Sequence, residues 1–206
     1  MIIQDLKPSK HIAGRWLVML EDGTVLRVGE NEVLQFSLYR GRELTGEEGE
    51  QLLSSARSSG LKEKALDLLT RKPMSRKELE LKLEQWEASQ SEQSQICDRL
   101  EELGFLDDGR YARQVVSHYA AKGYGTRKLR DELYRRGVPR EFWDEALEQC
   151  EDCSELLDAF LEKKLKGSRD PKEMKRASDA LARRGYSWSE IREALNRYGA
   201  ELDPED

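Results

Sequence analysis

Few residues in this 206-residue chain have the type and spacing that chemistry requires. Asp107 and Asp108 stand side by side, and paired carboxylates can act as a general acid and base. The interpretation we favour is structural: Asp107 caps a following helix, and Phe105 and Leu106 pack in the core between two repeats. The acidic pair is therefore a weak indication of catalysis.

Cys150-x-x-Cys153 is the second candidate, because this spacing occurs in redox pairs and in zinc sites. No histidine or second cysteine pair lies near it, and the acidic residues around it disfavour a thiolate. His11 and His118 stand far apart and form no triad pattern. No phosphate-binding loop or dinucleotide fingerprint is present. We expect no enzyme activity, no cofactor and no metal, and a redox role for the cysteine pair remains a minor alternative.

The bulk composition indicates short helices rather than one thick core. Charged residues make up 37% of the chain, apolar residues 37% and aromatic residues 7%, with a net charge of -6. No apolar run is long enough to span a membrane, and the first residues lack a secretory pattern. Together with only three cysteines, these features predict a cytoplasmic protein in a reducing compartment.

Positive charge is concentrated in two segments of this acidic chain. Residues 122–140 contain seven basic and two acidic residues, and residues 163–184 contain nine basic and three acidic residues. At 100° per residue, Leu129 and Leu133 share one face of a helix, and Arg127, Arg130, Tyr134 and Arg135 share the other. Lys175 and Arg183 fall in register with Arg127 and Arg135, which makes the basic pattern a repeated one.

These two basic faces are the candidate binding surface, for DNA or for an acidic protein patch. An ordinary solvated face is the alternative, and few aromatic residues on these faces argue against base stacking as the main binding mode. The candidate residues are Arg127, Lys128, Arg130, Arg135, Arg136, Lys175, Arg176, Arg183 and Arg184.

Residues 1–60 differ from the rest and are predicted to form an extension. Residues 15–21 and 24–28 have the pattern of two strands, and Asp22-Gly23 between them predicts a hairpin turn. The capping box that starts at Thr45 opens a helix to about Ala56. We expect residues 54–60 (SSARSSG) to be a linker or a frayed helix end.

The rest of the chain contains an internal repeat. With Leu83, Leu133 and Leu181 in register, the second and third copies each end in Arg-Arg-Gly, where glycine supplies a left-handed helix cap. Each copy has three short helices, and the units are residues 61–106, 107–150 and 151–206, the last with a short acidic tail. The first copy is degenerate, with a polar stretch at residues 88–95 where the others have a tight turn. The predicted fold is mainly α, with three tandem three-helix repeats behind a small β-hairpin and helix.

The sequence Gly-Phe-Leu-Asp-Asp at residues 104–108, followed by Arg-Tyr-Ala at 110–112, resembles the RecX family. The Leu-x-x-Glu-Leu-x-x-x-Gly-Val pattern at residues 129–138 adds to this likeness. The resemblance covers residues 60–199 as three repeats, and the N-terminal hairpin and helix look like the extension that many members carry.

The resemblance implies a regulator of the RecA recombinase that is not an enzyme. Such proteins are expected to bind in the groove of the RecA filament on DNA and to limit filament extension, ATP hydrolysis and strand exchange. Direct contact with single- or double-stranded DNA, a monomeric state and no membrane association complete the expectation. Two alternatives stay open: a DNA-binding helical regulator and a helical-repeat scaffold that binds other proteins.

Overall fold

The computed structural model describes residues 1–148 and 153–202, which form two compact units. The first unit comprises residues 1–72 and 79–105, and the second comprises residues 73–78 and 106 onward. The first turn of one helix, Arg76–Gln85, therefore belongs to the second unit, and the rest of that helix belongs to the first.

The first unit begins with an antiparallel sheet of three strands, β1 (Ile3–Pro8), β2 (Arg15–Leu20) and β3 (Val25–Gly29). The predicted hairpin of β2 and β3 is confirmed. The strand β1 was not predicted, because its sequence IQDLKP contains two charged residues and a proline in six positions. The inner face of the sheet packs against apolar side chains that include Phe36, Leu44 and Leu52.

Two helices follow the sheet, α1 (Glu30–Gln35) and α2 (Gly46–Arg71). The expected capping box at Thr45 opens α2, since the Thr45 hydroxyl accepts from the Glu48 amide. The prediction of a linker at residues 54–60 is wrong, because α2 continues through this segment without a break. Serines and Gly60 have low helix propensity, but Leu52, Leu61, Ala65 and Leu69 on both sides are buried and hold the helix together.

The next helices are α3 (Arg76–Gln85) and α4 (Gln90–Glu102). The expectation that the polar stretch at residues 88–95 takes the place of a tight turn is wrong: α3 ends in a tight turn at Ala88, and Ser89 then begins α4 through a capping box with Glu92, so most of the stretch is helical. With the second half of α2, these helices form the first repeat.

The second unit contains the other two repeats. The second repeat consists of α5 (Asp108–Ala120), α6 (Thr126–Arg135), a short 3-10 turn (Arg140–Phe142) and α7 (Trp143–Glu148). The third consists of α8 (Cys153–Leu165), α9 (Pro171–Arg183) and α10 (Trp188–Leu202). Each repeat has its own apolar cluster, around Leu129 and Leu133 in one and around Leu161 and Leu181 in the other. The three-repeat prediction is confirmed, and the described residues from 61 to 199 contain no strand.

All three central helices, α3, α6 and α9, end in the same tight turn. One backbone hydrogen bond closes each turn, with N–O distances of 3.0, 3.1 and 3.2 Å: Ala88 to Leu83, Val138 to Leu133 and Tyr186 to Leu181. Gly137 and Gly185 adopt the predicted left-handed conformation, with φ of 66° and 89°. The first repeat reaches the same conformation with Glu87 at φ 61°, and Arg57 donates a hydrogen bond of 2.6 Å to the Glu87 carbonyl.

Replacing Glu87 with glycine is expected to stabilise the protein by about 0.5 to 1 kcal/mol, because it removes the side-chain strain of a left-handed residue. The opposite change at the equivalent position, Gly185→Ala, is expected to destabilise, since a Cβ there would lie 2.5 Å from the Cβ of Lys128. Urea unfolding of both variants measures the two effects. A loss of stability in Glu87→Gly would contradict the assignment of strain.

Consecutive repeats of the second unit are joined end to end through the backbone. At the start of α6, the Gly125 amide donates to the Arg184 carbonyl and the Arg127 amide donates to the Gly185 carbonyl, both at 3.0 Å. Gly125 permits this approach, because a Cβ there would lie 2.5 Å from the Tyr186 backbone. The last carbonyls of α9 thus satisfy the first amides of α6.

The start of α3 meets the end of α6 in a similar joint. The Ser75 hydroxyl donates to the Arg136 carbonyl, and the Arg76 amide donates to the Asp108 carboxylate at 2.8 Å. At each joint, a main-chain carbonyl at the end of one central helix accepts a hydrogen bond from the start of another. The donors are backbone amides at the first joint and a serine hydroxyl at the second.

Candidate functional site

The exposed face of α9 carries a net positive charge, because its four cations outnumber the two carboxylates of the helix, Glu173 and Asp179. Lys175, Arg176 and Arg183 are exposed, and the structure gives their side chains no ion pair within residues 1–148 and 153–202. Lys172 lies on the same side of the helix, since positions 172, 176 and 183 fall within roughly 40° of one another at 100° per residue. Leu181 and Ala177 are buried on the opposite side. We call Lys172, Lys175, Arg176 and Arg183 the α9 face.

Most of the candidate cations of α6 are paired with acidic groups of their own repeat. Arg130 lies 3.4 Å from Asp144, and the Lys128 ammonium lies 3.1 Å from the Glu132 carboxylate. Arg135 also pairs with Glu132. Arg127 is exposed and has no ion pair among the described residues. We call Arg127, Arg130 and Arg135 the α6 face. Within the part of the chain that the structure describes, it offers fewer cations without an ion pair than the α9 face.

Glu132 is buried and holds two of these cations at the base of the α6 face. Burial by itself would raise the pKa of the Glu132 carboxyl, but hydrogen bonds from Arg135 and Lys128 outweigh it, and the pKa lies below its ordinary value. The carboxylate is thus ionised at neutral pH and neutralises charge that would otherwise face solvent.

Arg136 is a structural residue at the joint between α3 and α6. Its side chain is 22% exposed, and its guanidinium donates to the hydroxyls of Tyr111 at 2.9 Å and Tyr119 at 3.3 Å. The carboxylate of Glu78 lies 3.7 Å away, and that of Glu132 lies 3.8 Å away. Burial, followed by the contact with Glu78, raises the pKa of Tyr111 to about 12, so its hydroxyl remains protonated and donates to Glu78.

Arg184, the register equivalent of Arg136, has a different role. It is exposed, and its guanidinium lies 4.6 Å from the centre of the Phe160 ring. Its guanidinium makes no ion pair among the described residues, whereas Arg136 lies near two carboxylates. The sequence pattern could not separate the two residues, because both stand in an Arg-Arg-Gly turn.

The other residues singled out in the sequence have mixed outcomes. Asp107 caps α5 as expected, with its carboxylate 2.8 Å from the Arg110 amide, and Leu106 is buried. The expectation that Phe105 lies in a core is wrong, since it is 44% exposed. Trp188, at the start of α10, is 63% exposed and is therefore not a core residue. Cys150, part of the segment around Cys153 and the acidic tail lie outside the described residues.

Sequence reasoning left Lys172 out of the candidate set, although it belongs to the α9 face. The signal was available: Asp170 and Pro171 begin the helix as its cap and first residue, which places position 172 in register with 176 and 183. Among the described residues, no group of His, Cys, Asp and Glu could hold a metal ion, and no helix is long and apolar enough to cross a membrane.

Replacing Glu132 with glutamine is expected to weaken the dependence of stability on acid pH. The pKa of the Glu132 carboxyl is lower in the folded protein than its ordinary value of 4.5. The ionised carboxylate therefore stabilises the fold fully above pH 4.5, and this stabilisation is lost as the pH falls through the pKa of the folded protein. The free energy of unfolding of the variant should be lower than that of the parent protein by roughly 1 to 3 kcal/mol at pH 7, and by less than that at pH 3. Urea unfolding at both pH values measures the difference, and an equal loss at both would contradict the role of the charge.

Models of the RecX family match three consecutive segments of the chain. The first, second and third three-helix domains match residues 62–105, 107–147 and 151–195. The regulatory protein RecX of Pseudomonas fluorescens is 37% identical over 138 residues, which is 66% of this chain and 89% of that protein. The regulatory protein RecX of Streptococcus gordonii is 29% identical over 196 residues, which is 93% of this chain and 76% of that protein.

Solved structures support the same fold. A crystal structure of a regulatory protein RecX superposes with a TM-score of 0.76 at 21% identity and covers 95% of this chain and 98% of its own. The structure of RecX from Lactobacillus salivarius gives 0.65 at 21% identity, over 69% of this chain and 97% of its own. At this identity the two structures speak for the fold alone, whereas the sequence relatives and the three domain models decide the family. The chain belongs to the RecX family of regulatory proteins.

Proposed function

We propose that this protein is a non-enzymatic inhibitor of the RecA recombinase. It acts in the cytoplasm as a monomer, binds in the groove of the RecA filament on DNA, and limits filament extension, ATP hydrolysis and strand exchange. Membership of a family of regulatory proteins supports the regulatory role. The resemblance described from residues 104–138 supports RecA as the target.

The observation that carries the proposal is the net positive charge of the α9 face in a protein of net charge -6. A local concentration of cations on one helix attracts a polyanion such as a nucleoprotein filament. The exposed Arg127 and the more weakly compensated Arg130 extend this charge onto the second repeat. Trp188, at the start of α10, is exposed and offers a further contact to a partner.

A DNA-binding regulator is the second candidate, because the same face would also bind the phosphates of free DNA. The two proposals differ in the affinity that they predict for a RecA–DNA filament relative to bare duplex DNA. A filament regulator binds a RecA–DNA filament more tightly than it binds bare duplex DNA, whereas a DNA-binding regulator binds both with similar affinity at equal salt.

The decisive experiment measures RecA ATP hydrolysis on single-stranded DNA as this protein is added. We expect the rate to fall and to reach a plateau once the filament is saturated, while the protein alone hydrolyses no ATP. A rate that does not change at saturating protein, or equal affinity for bare duplex and for filament, would contradict the proposal.

A further inference from the structure

A long groove runs between the edge strand β3 and the helix α2 in the first unit, apart from the α6 and α9 faces. Its volume is roughly 1260 Å³. One wall is the whole of β3, and the other is one side of α2, where lining positions such as Leu53, Ala56, Gly60 and Lys64 follow helical spacing. The proposed function uses none of these residues.

The β3 side of the groove presents main-chain groups that can pair with another strand. β3 lies at the edge of the sheet, next to β2 alone. The Leu20 amide donates to the Thr24 carbonyl at 2.9 Å. By the two-residue period of an antiparallel ladder, Leu26 and Val28 therefore bond to β2, and the main chain of Val25 and Arg27 is directed to the open edge.

The α2 side is built for close approach. Gly60 stands in the middle of a 26-residue helix, where glycine costs about 1 kcal/mol relative to alanine. No heavy atom lies within 4 Å of the position that its Cβ would take, so internal packing does not require a glycine here. The missing side chain leaves room in the groove opposite β3.

The lining combines exposed apolar side chains with an excess of positive charge. Ile12, Val25 and Leu53 are 43%, 49% and 41% exposed, and all three line this groove. Five basic residues and two acidic ones belong to the lining. Arg15 and Arg71 pair with the two acidic residues, Glu63 and Asp67. The remaining three cations have no ion pair among the described residues: Arg27, Arg57, which also donates to the Glu87 carbonyl, and Lys64, whose ammonium lies 3.9 Å from the centre of the Trp86 ring.

We propose that this groove binds an extended acidic peptide segment of a partner protein, which adds to β3 as a fourth strand. The main chain of Val25 and Arg27 supplies the hydrogen bonds, the apolar lining takes alternate side chains, and Arg27, Arg57 and Lys64 attract the carboxylates. A nucleic acid would not use the open strand edge. A second copy pairing β3 with β3 would bring the two Arg27 side chains close together, which is unfavourable.

The test uses the full chain and a fluorescein-labelled peptide of four alternating Glu-Val pairs, with binding followed by fluorescence anisotropy. We expect saturable binding that Arg27→Glu weakens by at least about tenfold. Lys164→Glu, an equal change of charge at an exposed position of α8, should leave the affinity unchanged. A peptide with N-methyl groups on alternate residues keeps its side chains but loses one hydrogen-bonding edge, and it should bind at least about tenfold more weakly.

A second variant separates binding from folding. Gly60→Gln fills the groove and restores helix propensity, so it should abolish peptide binding while raising the melting temperature. The proposal is overturned if the peptide shows no saturable binding, if a Lys-Val peptide binds equally well, or if both variants still bind. It is also overturned if a single-stranded oligonucleotide binds the groove more tightly than the peptide does. The same holds if the protein dimerises through β3, Arg27→Glu disrupts the dimer, and dimer formation displaces the peptide.

Discussion

Alanine at Lys175, Arg176 and Arg183 together is expected to weaken the inhibition of RecA ATP hydrolysis strongly and to leave helicity unchanged. These side chains are exposed and have no ion pair among residues 1–148 and 153–202, so their removal costs the fold little. Each cation that contacts a phosphate contributes about one unit to the slope of log affinity against log salt, so the triple variant should lose about three units. Inhibition curves at several salt concentrations measure both effects.

Two matched variants make this result specific. The α6 triple variant, Arg127→Ala with Arg130→Ala and Arg135→Ala, should lose less inhibition, because Arg130 and Arg135 already pair with Asp144 and Glu132. A control in the first repeat removes three cations from the neighbourhood of α3: Lys72, Lys77 and Lys82. An equal loss of inhibition in this control would show that total charge matters rather than the α9 face.

Replacing Arg136 with alanine is expected to destabilise the second unit by about 2 to 3 kcal/mol and to lower its melting temperature by roughly 10 °C. The change removes the cation that lies between Glu78 and Glu132, and it removes a hydrogen-bond donor from the hydroxyls of Tyr111 and Tyr119. Calorimetry of the full chain measures this shift. Lysine should not restore the loss, because one ammonium cannot make the divergent contacts of a planar guanidinium.

Arg184→Ala provides the matched comparison, since it alters the equivalent residue of the next repeat. Arg184 is exposed and contacts the Phe160 ring, so its removal should cost less than about 1 kcal/mol. The two variants should also separate in function, with Arg184→Ala weakening inhibition at unchanged stability. Equal melting temperatures for the two variants would contradict the structural role of Arg136.

The sequence was sufficient for the repeated architecture because each unit repeats its signals in register. Leu133 and Leu181 fix the core side of their helices, and Gly137 and Gly185 fix the turns. The exposed positions of the α9 face follow from the same register. Local patterns of this kind depend on a few neighbouring residues, which the sequence displays directly.

Features that depend on distant partners could not be predicted. The serine-rich segment of α2 has the composition of a linker, and its helix is maintained by burial of residues on either side. Arg136 and Arg184 share one sequence context, but only Arg136 meets a glutamate that lies 58 positions earlier in the chain, Glu78. The compensation of Arg130 by Asp144 likewise depends on how α7 packs against α6.

The backbone joints between repeats have a consequence for how far such an array can grow. A joint such as that between α6 and α9 uses main-chain groups alone, so a helix end with free amides or carbonyls offers a site where a further repeat would add in the same way. In this chain a side chain closes each end. Arg57 donates to the Glu87 carbonyl, the counterpart of the Gly185 carbonyl that accepts from α6, and Asp170 accepts from the Lys172 amide at the start of α9. Two side chains thus occupy the backbone positions that form a joint elsewhere in the chain.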